Sequence, residues 1–199
     1  MPIVGSFAGA SARAYGLGAG GVAIGDFESI STVTVGTATA TVEFTSIPAT
    51  YTHLQIRASI QSTRATYPID KLFWRFNSDT GSNYSSHQFI SNHETVESLT
   101  DNTTSISGSD IISTGVHYTG FVFGTLILDI LDYTNTNKFK TCIAIGGTDS
   151  NGLVGGLRGR QGFISGNYRS SSAITSVTFR AESGNIDVDS KFALYGVKA

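Results

Sequence analysis

From Phe27 onward, apolar and polar residues alternate with a period of two, the spacing that puts successive side chains on opposite faces of a β-strand. In HLQIRASIQ (53–61), Leu54, Ile56, Ala58 and Ile60 share one face, while His53, Gln55, Arg57, Ser59 and Gln61 share the other. KLFWRFN (71–77) repeats this with Leu72, Trp74 and Phe76 inward, and Phe73 on the opposite side suggests a second apolar contact. KFKTCIAIGG sets Phe139, Thr141, Ile143 and Ile145 against Cys142 and Ala144, and KFALYGV sets Phe192 and Leu194 against Ala193, Tyr195 and Val197. FESISTVTV alternates imperfectly. Gly36 and Thr37 separate it from TATVEFTSI, where Val42 and Phe44 share a face, so the two runs are expected to pair as a hairpin that Pro48 ends. FVFGTLILDILDY is apolar on both faces and predicts a buried central strand. AITSVTFRA adds another strand, joined to the last by the turn ESGNIDVD. Seven or eight strands with no helical period predict an all-β chain, an antiparallel β-sandwich of jelly-roll type.

Two stretches break the pattern. Residues 77–119 are polar apart from QFI at 88–90, and are expected as loops or edge strands, where recognition residues usually sit. NGLVGGLRGRQGFISGNYRSS is expected as a flexible segment. Its Arg158, Arg160 and Arg169 suit an anion- or sugar-binding loop, a solvated turn or a subunit contact. Tyr67, Tyr84, Tyr118 and Tyr168 each lie in or beside a proposed loop and offer aromatic faces to a sugar, with burial in a core or an oligomer contact as the plainer alternative.

The first 26 residues differ again. Gly recurs at 5, 9, 16, 18, 20, 21 and 25, with Arg13 the one cation and no acid before Asp26. A segment so poor in large apolar surface cannot offset its own backbone entropy. Ile3, Val4, Phe7, Tyr15 and Leu17 are spaced along it as anchors, so residues 1–26 are either a disordered tail or an arm that orders on a partner or a neighbouring copy; we read them as an extended attachment arm, with 27–199 as the β-sandwich domain.

Composition narrows the functional classes. Ser and Thr contribute 49 of 199 residues, Gly 23, and charged residues 14%, which excludes a coiled coil, a collagen and a charge-rich disordered chain. A net charge of -2 supplies no global field for nucleic acid or an anionic membrane, and no apolar run approaches a membrane span or a signal-peptide core. Cys142 is the single cysteine, expected as a small buried hydrophobe, so an internal disulfide is impossible. His53, His87, His93 and His117 lack metal-ligand spacing, and no cofactor is implied. Ser85, Ser86 and His87 are adjacent where a hydrolase needs its base across space, and GLGAGG at 16–21 has neither the preceding strand nor the following Lys of a phosphate loop. Asp79 and Asn83 in DTGSN fit a turn capped by its own side chains. Asp129 and Asp132 fall on opposite faces, which makes them a poor carboxylate pair for a glycosidase. The chain is therefore not expected to be an enzyme.

The opening GSFAGASARAYGLGAGG, the phrases VEFTSIPATYTHLQIRASI and FNSDTGSNYSSH, and the ending FALYGVKA together resemble a group of small virion proteins of tailed bacteriophages, of the kind found in phages of aquatic bacteria and cyanobacteria. The resemblance covers most of the chain except residues 89–119. It implies a β-sandwich subunit assembled in the host cytoplasm onto the virion, commonly as a homotrimer, with the arm attaching and the domain outward. Its partners would be tail or baseplate proteins or the major capsid protein, and in one role a host-surface glycan. Three roles follow: a tail fibre or receptor-binding appendage, a capsid decoration (cement) protein, and a glycan-degrading virion enzyme, in that order of preference. The resemblance carries over no set of functional residues.

Overall fold

The computed structural model describes residues 27–92, 95–114, 122–154 and 157–198. The arm anchors Ile3, Phe7, Arg13, Tyr15 and Leu17 therefore lie outside the described residues, as does Tyr118. Among the described residues twelve strands follow in order: β1 (Phe27–Thr34), β2 (Val42–Phe44), β3 (His53–Ser62), β4 (Ile69–Phe76), β5 (Tyr84–Asn92), β6 (Thr95–Thr103), β7 (Ile106–Thr114), β8 (Gly124–Leu131), β9 (Lys140–Val154), β10 (Leu157–Tyr168), β11 (Val177–Ala181) and β12 (Lys191–Val197). No helix occurs among the described residues.

The strands form two layers. One carries the order β1-β12-β3-β8-β9-β10-β5-β6 and the other β2-β11-β4-β7. They join at one corner, where the end of β3 runs parallel to β7 through Gln61↔Ser113 and Ser62↔Thr114. The last three residues of β3 are all buried as the strand passes from one layer to the other.

Setting aside the hairpins β5–β6 and β9–β10 leaves eight strands in jelly-roll order. The first, last, third and sixth of the eight form one sheet; the second, seventh, fourth and fifth form the other. The two hairpins are insertions. β9 continues the first sheet beyond β8, β10 follows β9, and β5 and β6 complete the edge.

The core lies between the layers and includes Leu54, Ile56, Trp74, Phe76, Leu128, Phe179 and Phe192, all essentially inaccessible to solvent. β7 is the strand of the second sheet that covers the inserted hairpins. Its Ile111 sits over Gly146 and Gly162, and its Ile106 sits over Gly166, where glycines leave room for the branched side chains.

Three expectations need correction. β1 and β2 do not form a hairpin: β1 pairs with β12 and β2 with β11, because the chain after Val35 crosses between the layers. Strand β8 is not buried on both faces. Leu126, Leu128 and Ile130 face the core, while Ile127 and Leu131 face outward. The segment at 77–119, expected as loops or edge strands, holds the edge strand β6 but also the interior strands β5 and β7 among its described residues, and the stretch at 151–171 expected as flexible contributes the end of β9 and β10. Their polar residues alternate with small or apolar ones against a neighbouring strand, so backbone pairing rather than side-chain hydrophobicity sets their structure.

Candidate functional site

The two outer faces of the sandwich differ in chemistry. On the second sheet the outward side chains are charged and mutually engaged. The Arg180 guanidinium lies 4.2 Å above the Phe73 ring, Arg75 Nε donates to Thr104 O at 2.9 Å, and Lys71 pairs with Glu182 at 3.1 Å. Phe73 thus meets a cation on this outer face, where the sequence suggested a second apolar contact.

On the first sheet the outward face is apolar. Register places Ile127 beside Ile145, Ile145 beside Phe163 and Phe163 beside Phe89, one row across β8, β9, β10 and β5. These four side chains are 45%, 59%, 46% and 58% exposed. Ile143 and Leu131 extend the patch along the strands, and Val96 marks its β6 edge. The next outward row reads Thr125, Gly147, Gln161 and Ser91, so a trench bottomed by Gly147 runs beside the ridge. With Phe123 as a wall, ridge and trench bound a groove of about 910 Å³.

A polar strip closes the patch on the β3 side. Arg57 Nε donates to Gln55 Oε1 at 2.8 Å, and Gln55 Nε2 donates to Asp129 Oδ1 at 2.7 Å. The Arg57 guanidinium also covers the rings of Phe27 and Tyr195, which meet each other at a 30° tilt, at 5.3 and 5.8 Å from their centroids.

Of the residues singled out in the sequence, Tyr84 and Tyr168 are brought together, but inside the sandwich and not on the apolar face. Tyr84 and Tyr168 are core residues, not ligand platforms: both are buried and their rings stack on each other 4.8 Å apart. The Tyr84 hydroxyl accepts from Phe76 N and donates to Phe76 O, and burial pushes its ionisation well above the ordinary tyrosine value. The Tyr168 hydroxyl donates to Asp79 Oδ2 at 3.0 Å. Each ring fills volume beside Phe76 while its hydroxyl meets a polar partner, the buried Phe76 backbone for Tyr84 and the partly buried Asp79 carboxylate for Tyr168, which is why tyrosine serves there. Arg158 and Arg160 fall within β10, with Arg160 half-buried and paired in register to Thr148, rather than on a loop. Tyr67 does stay at the surface, 52% exposed beneath the Arg64 guanidinium.

Asp79 and Asn83 form the expected capped turn. Asp79 accepts from Gly81 N at 2.7 Å and from Asn83 Nδ2 at 2.8 Å, and these bonds, Asn83's first, hold its carboxyl below the ordinary value. Cys142 is buried as expected, and desolvation pushes its thiol up to about 12. His53 Nδ1 accepts from Asp132 N at 2.9 Å, His87 is exposed on β5, and His93 and His117 lie outside the described residues. Among the described residues no cluster of His, Cys, Asp or Glu is placed to hold a metal ion.

The apolar row was hidden because Phe89 sits in a stretch expected as loops or edge strands and Phe163 in one expected as flexible. A signal existed: the dipeptide Phe-Ile occurs at 89–90 and again at 163–164, and in both the Phe points out while the Ile is buried. The two phenylalanines are direct partners in register, while Ile90 pairs with Gly162 and Ile164 with Gln88.

No family model and no curated protein matches the chain. Similar solved structures include the VP2 subviral particle of infectious bursal disease virus, at 9% identity and a TM-score of 0.14, covering 84% of this chain and 40% of that one. The structure of the Gx strain of the same virus has 9% identity and a TM-score of 0.11, with 84% and 41% covered. A candidate pore-forming toxin of Bacteroides vulgatus has 9% identity and a TM-score of 0.09, with 81% and 56% covered. The chain thus spans about half or less of the length of these structures, and likenesses at such scores carry no argument about function.

Proposed function

We propose that this chain is a structural subunit of a tailed-bacteriophage particle, placed on a tail fibre or receptor-binding appendage, with residues 1–26 attaching and the sandwich outward. The observation that carries an assembly role is the apolar outer face on the inserted hairpins. A chain that works alone gains nothing from presenting Phe89, Ile145 and Phe163 to water, whereas a subunit recovers that cost on assembly. The sequence resemblance to virion proteins supplies the particle.

Capsid decoration is the second reading, and one observation favours it. With Tyr84 and Tyr168 inside the core, two of the rings that suited a glycan are withdrawn, and the exposed face suits protein contact better than sugar. Copy number separates the two. Quantitative mass spectrometry of purified particles should find this chain at a few per cent of the major shell protein for a tail position. A ratio of the same order as the shell protein moves it to the head, and absence from particles removes the virion reading.

A further inference from the structure

We infer that the apolar face of the first sheet is a self-association surface, and that its occupant is a second copy of this chain packed face to face. The inference rests on reading that face as an assembly contact and adds the identity of the partner.

Area is the first argument. The exposed parts of the seven large apolar residues on this side of the polar strip, Ile127, Ile145, Phe163, Phe89, Ile143, Leu131 and Val96, amount to an area on the order of 700 Å², close to what each partner contributes to a standard interface and more than the roughly 300–600 Å² of a monomer's largest patch. The patch also has the anatomy of an interface, an apolar centre beside the Arg57–Gln55–Asp129 strip.

Relief is the second argument, and it selects a copy over an unrelated protein. The ridge of Ile127, Ile145, Phe163 and Phe89 and the trench at Thr125, Gly147 and Gln161 are parallel, two residues apart along the strands, about 7 Å. A two-fold axis lying in the interface, parallel to both and midway between them, carries the ridge of one copy over the trench of the other. The face is therefore complementary to itself under the simplest closed symmetry. That arrangement gives a dimer where the sequence resemblance implies a trimer.

The test is the mass of the purified full-length chain in solution, by light scattering at micromolar concentrations. The expected result is twice the 21.0 kDa of one chain. Ile145→Asp and Phe163→Ser, both on the exposed ridge, should halve the mass while leaving the β-sheet circular dichroism unchanged. Thr178→Asp, on the opposite outer face, should leave the dimer intact. A monomeric wild type, a trimer, or a dimer that both ridge variants leave at full mass overturns the inference. A monomer whose face also fails to bind an apolar dye assigns the covering role to the first 26 residues instead, and equally overturns it. None of these outcomes decides the virion reading, which copy number in particles tests separately.

Discussion

Ile111 of β7 reaches across the sandwich until its Cδ1 stands 3.0 Å from where a β-carbon on Gly146 would lie. Gly108 and Gly162 crowd the same side chain, at 2.6 and 3.2 Å from their would-be β-carbons. Glycine is required here by close approach, because β7 must come near the inserted β9–β10 hairpin to seal its inner face. Gly146→Ala would also press on Thr125 O at 2.6 Å, a backbone atom that cannot swing away. It should cost about 1–3 kcal/mol by overpacking. Gly162→Ala meets only the ends of Ile111 and Ile164 and should cost less, and Gly36→Ala, with open space around it, should be neutral or slightly stabilising. Urea unfolding midpoints rank the three, and an equal cost for Gly36 and Gly146 would refute the packing account.

The Asp79 turn predicts a pH dependence. Hydrogen bonds from Asn83, from Gly81 N and from Tyr168 hold the Asp79 carboxyl below its ordinary 3.8, so the folded state releases this proton more readily than the unfolded chain. The stabilisation is present above 3.8 and is lost as the pH falls through the lower folded value. Asp79→Asn should therefore show a shallower loss of stability below pH 3.8 than the wild type. Tyr168→Phe keeps the ring stack but removes one donor, at a cost of about 1 kcal/mol near neutral pH. Thermal melts between pH 2.5 and 7 check both.

Much of the jelly roll was legible because its strands alternate cleanly. Leu54, Ile56 and Ile60 in β3, Phe192 and Leu194 in β12, and Cys142 and Ala144 in β9 are all buried as their spacing requires. Pairing was less legible. Nothing local in FESISTVTV distinguishes Val33 facing Phe192 across a sheet from Val33 in a hairpin with β2, since a long-range partner leaves no mark on neighbouring residues. The inserted strands were missed for another reason. In YSSHQFISN the inward positions include Ser86 and Gln88, both buried, so the period of two is present but carried by small and polar residues that read as loop. The candidate site suffered most, because a row of side chains contributed by four strands exists only once register is known.

Lys140 carries a third prediction. Its side chain is buried and its ammonium donates to three backbone carbonyls: Asn135 O, Lys138 O at 3.1 Å and Ser171 O at 3.1 Å. Burial lowers its tendency to hold the proton, yet the three carbonyls tie the β8–β9 turn to the segment after β10. Lys140→Met keeps the stem and strands the acceptors, and should destabilise by about 1–3 kcal/mol. Lys191→Met, at an exposed strand position, should change stability by less than about 0.5 kcal/mol. Chemical denaturation of the two variants compares them directly, and equal midpoints would rule out a structural role for the buried ammonium.

The division between arm and domain gives the last prediction. The buried core cluster runs from Val35 to Leu194, and the contacts of Phe27 with Tyr195 and Arg57 lie within the described residues as well. Removing residues 1–26 therefore takes away none of these packing contacts, and the remaining chain should unfold cooperatively within about 0.5 kcal/mol of full length. The ridge formed by Ile127, Ile145, Phe163 and Phe89 also survives the truncation, so self-association should persist while incorporation into particles is lost. Light scattering reads the first and mass spectrometry of particles the second. A truncated chain that becomes monomeric would show that the arm, not the sheet face, holds the copies together; one that still enters particles would show that attachment resides in the sandwich.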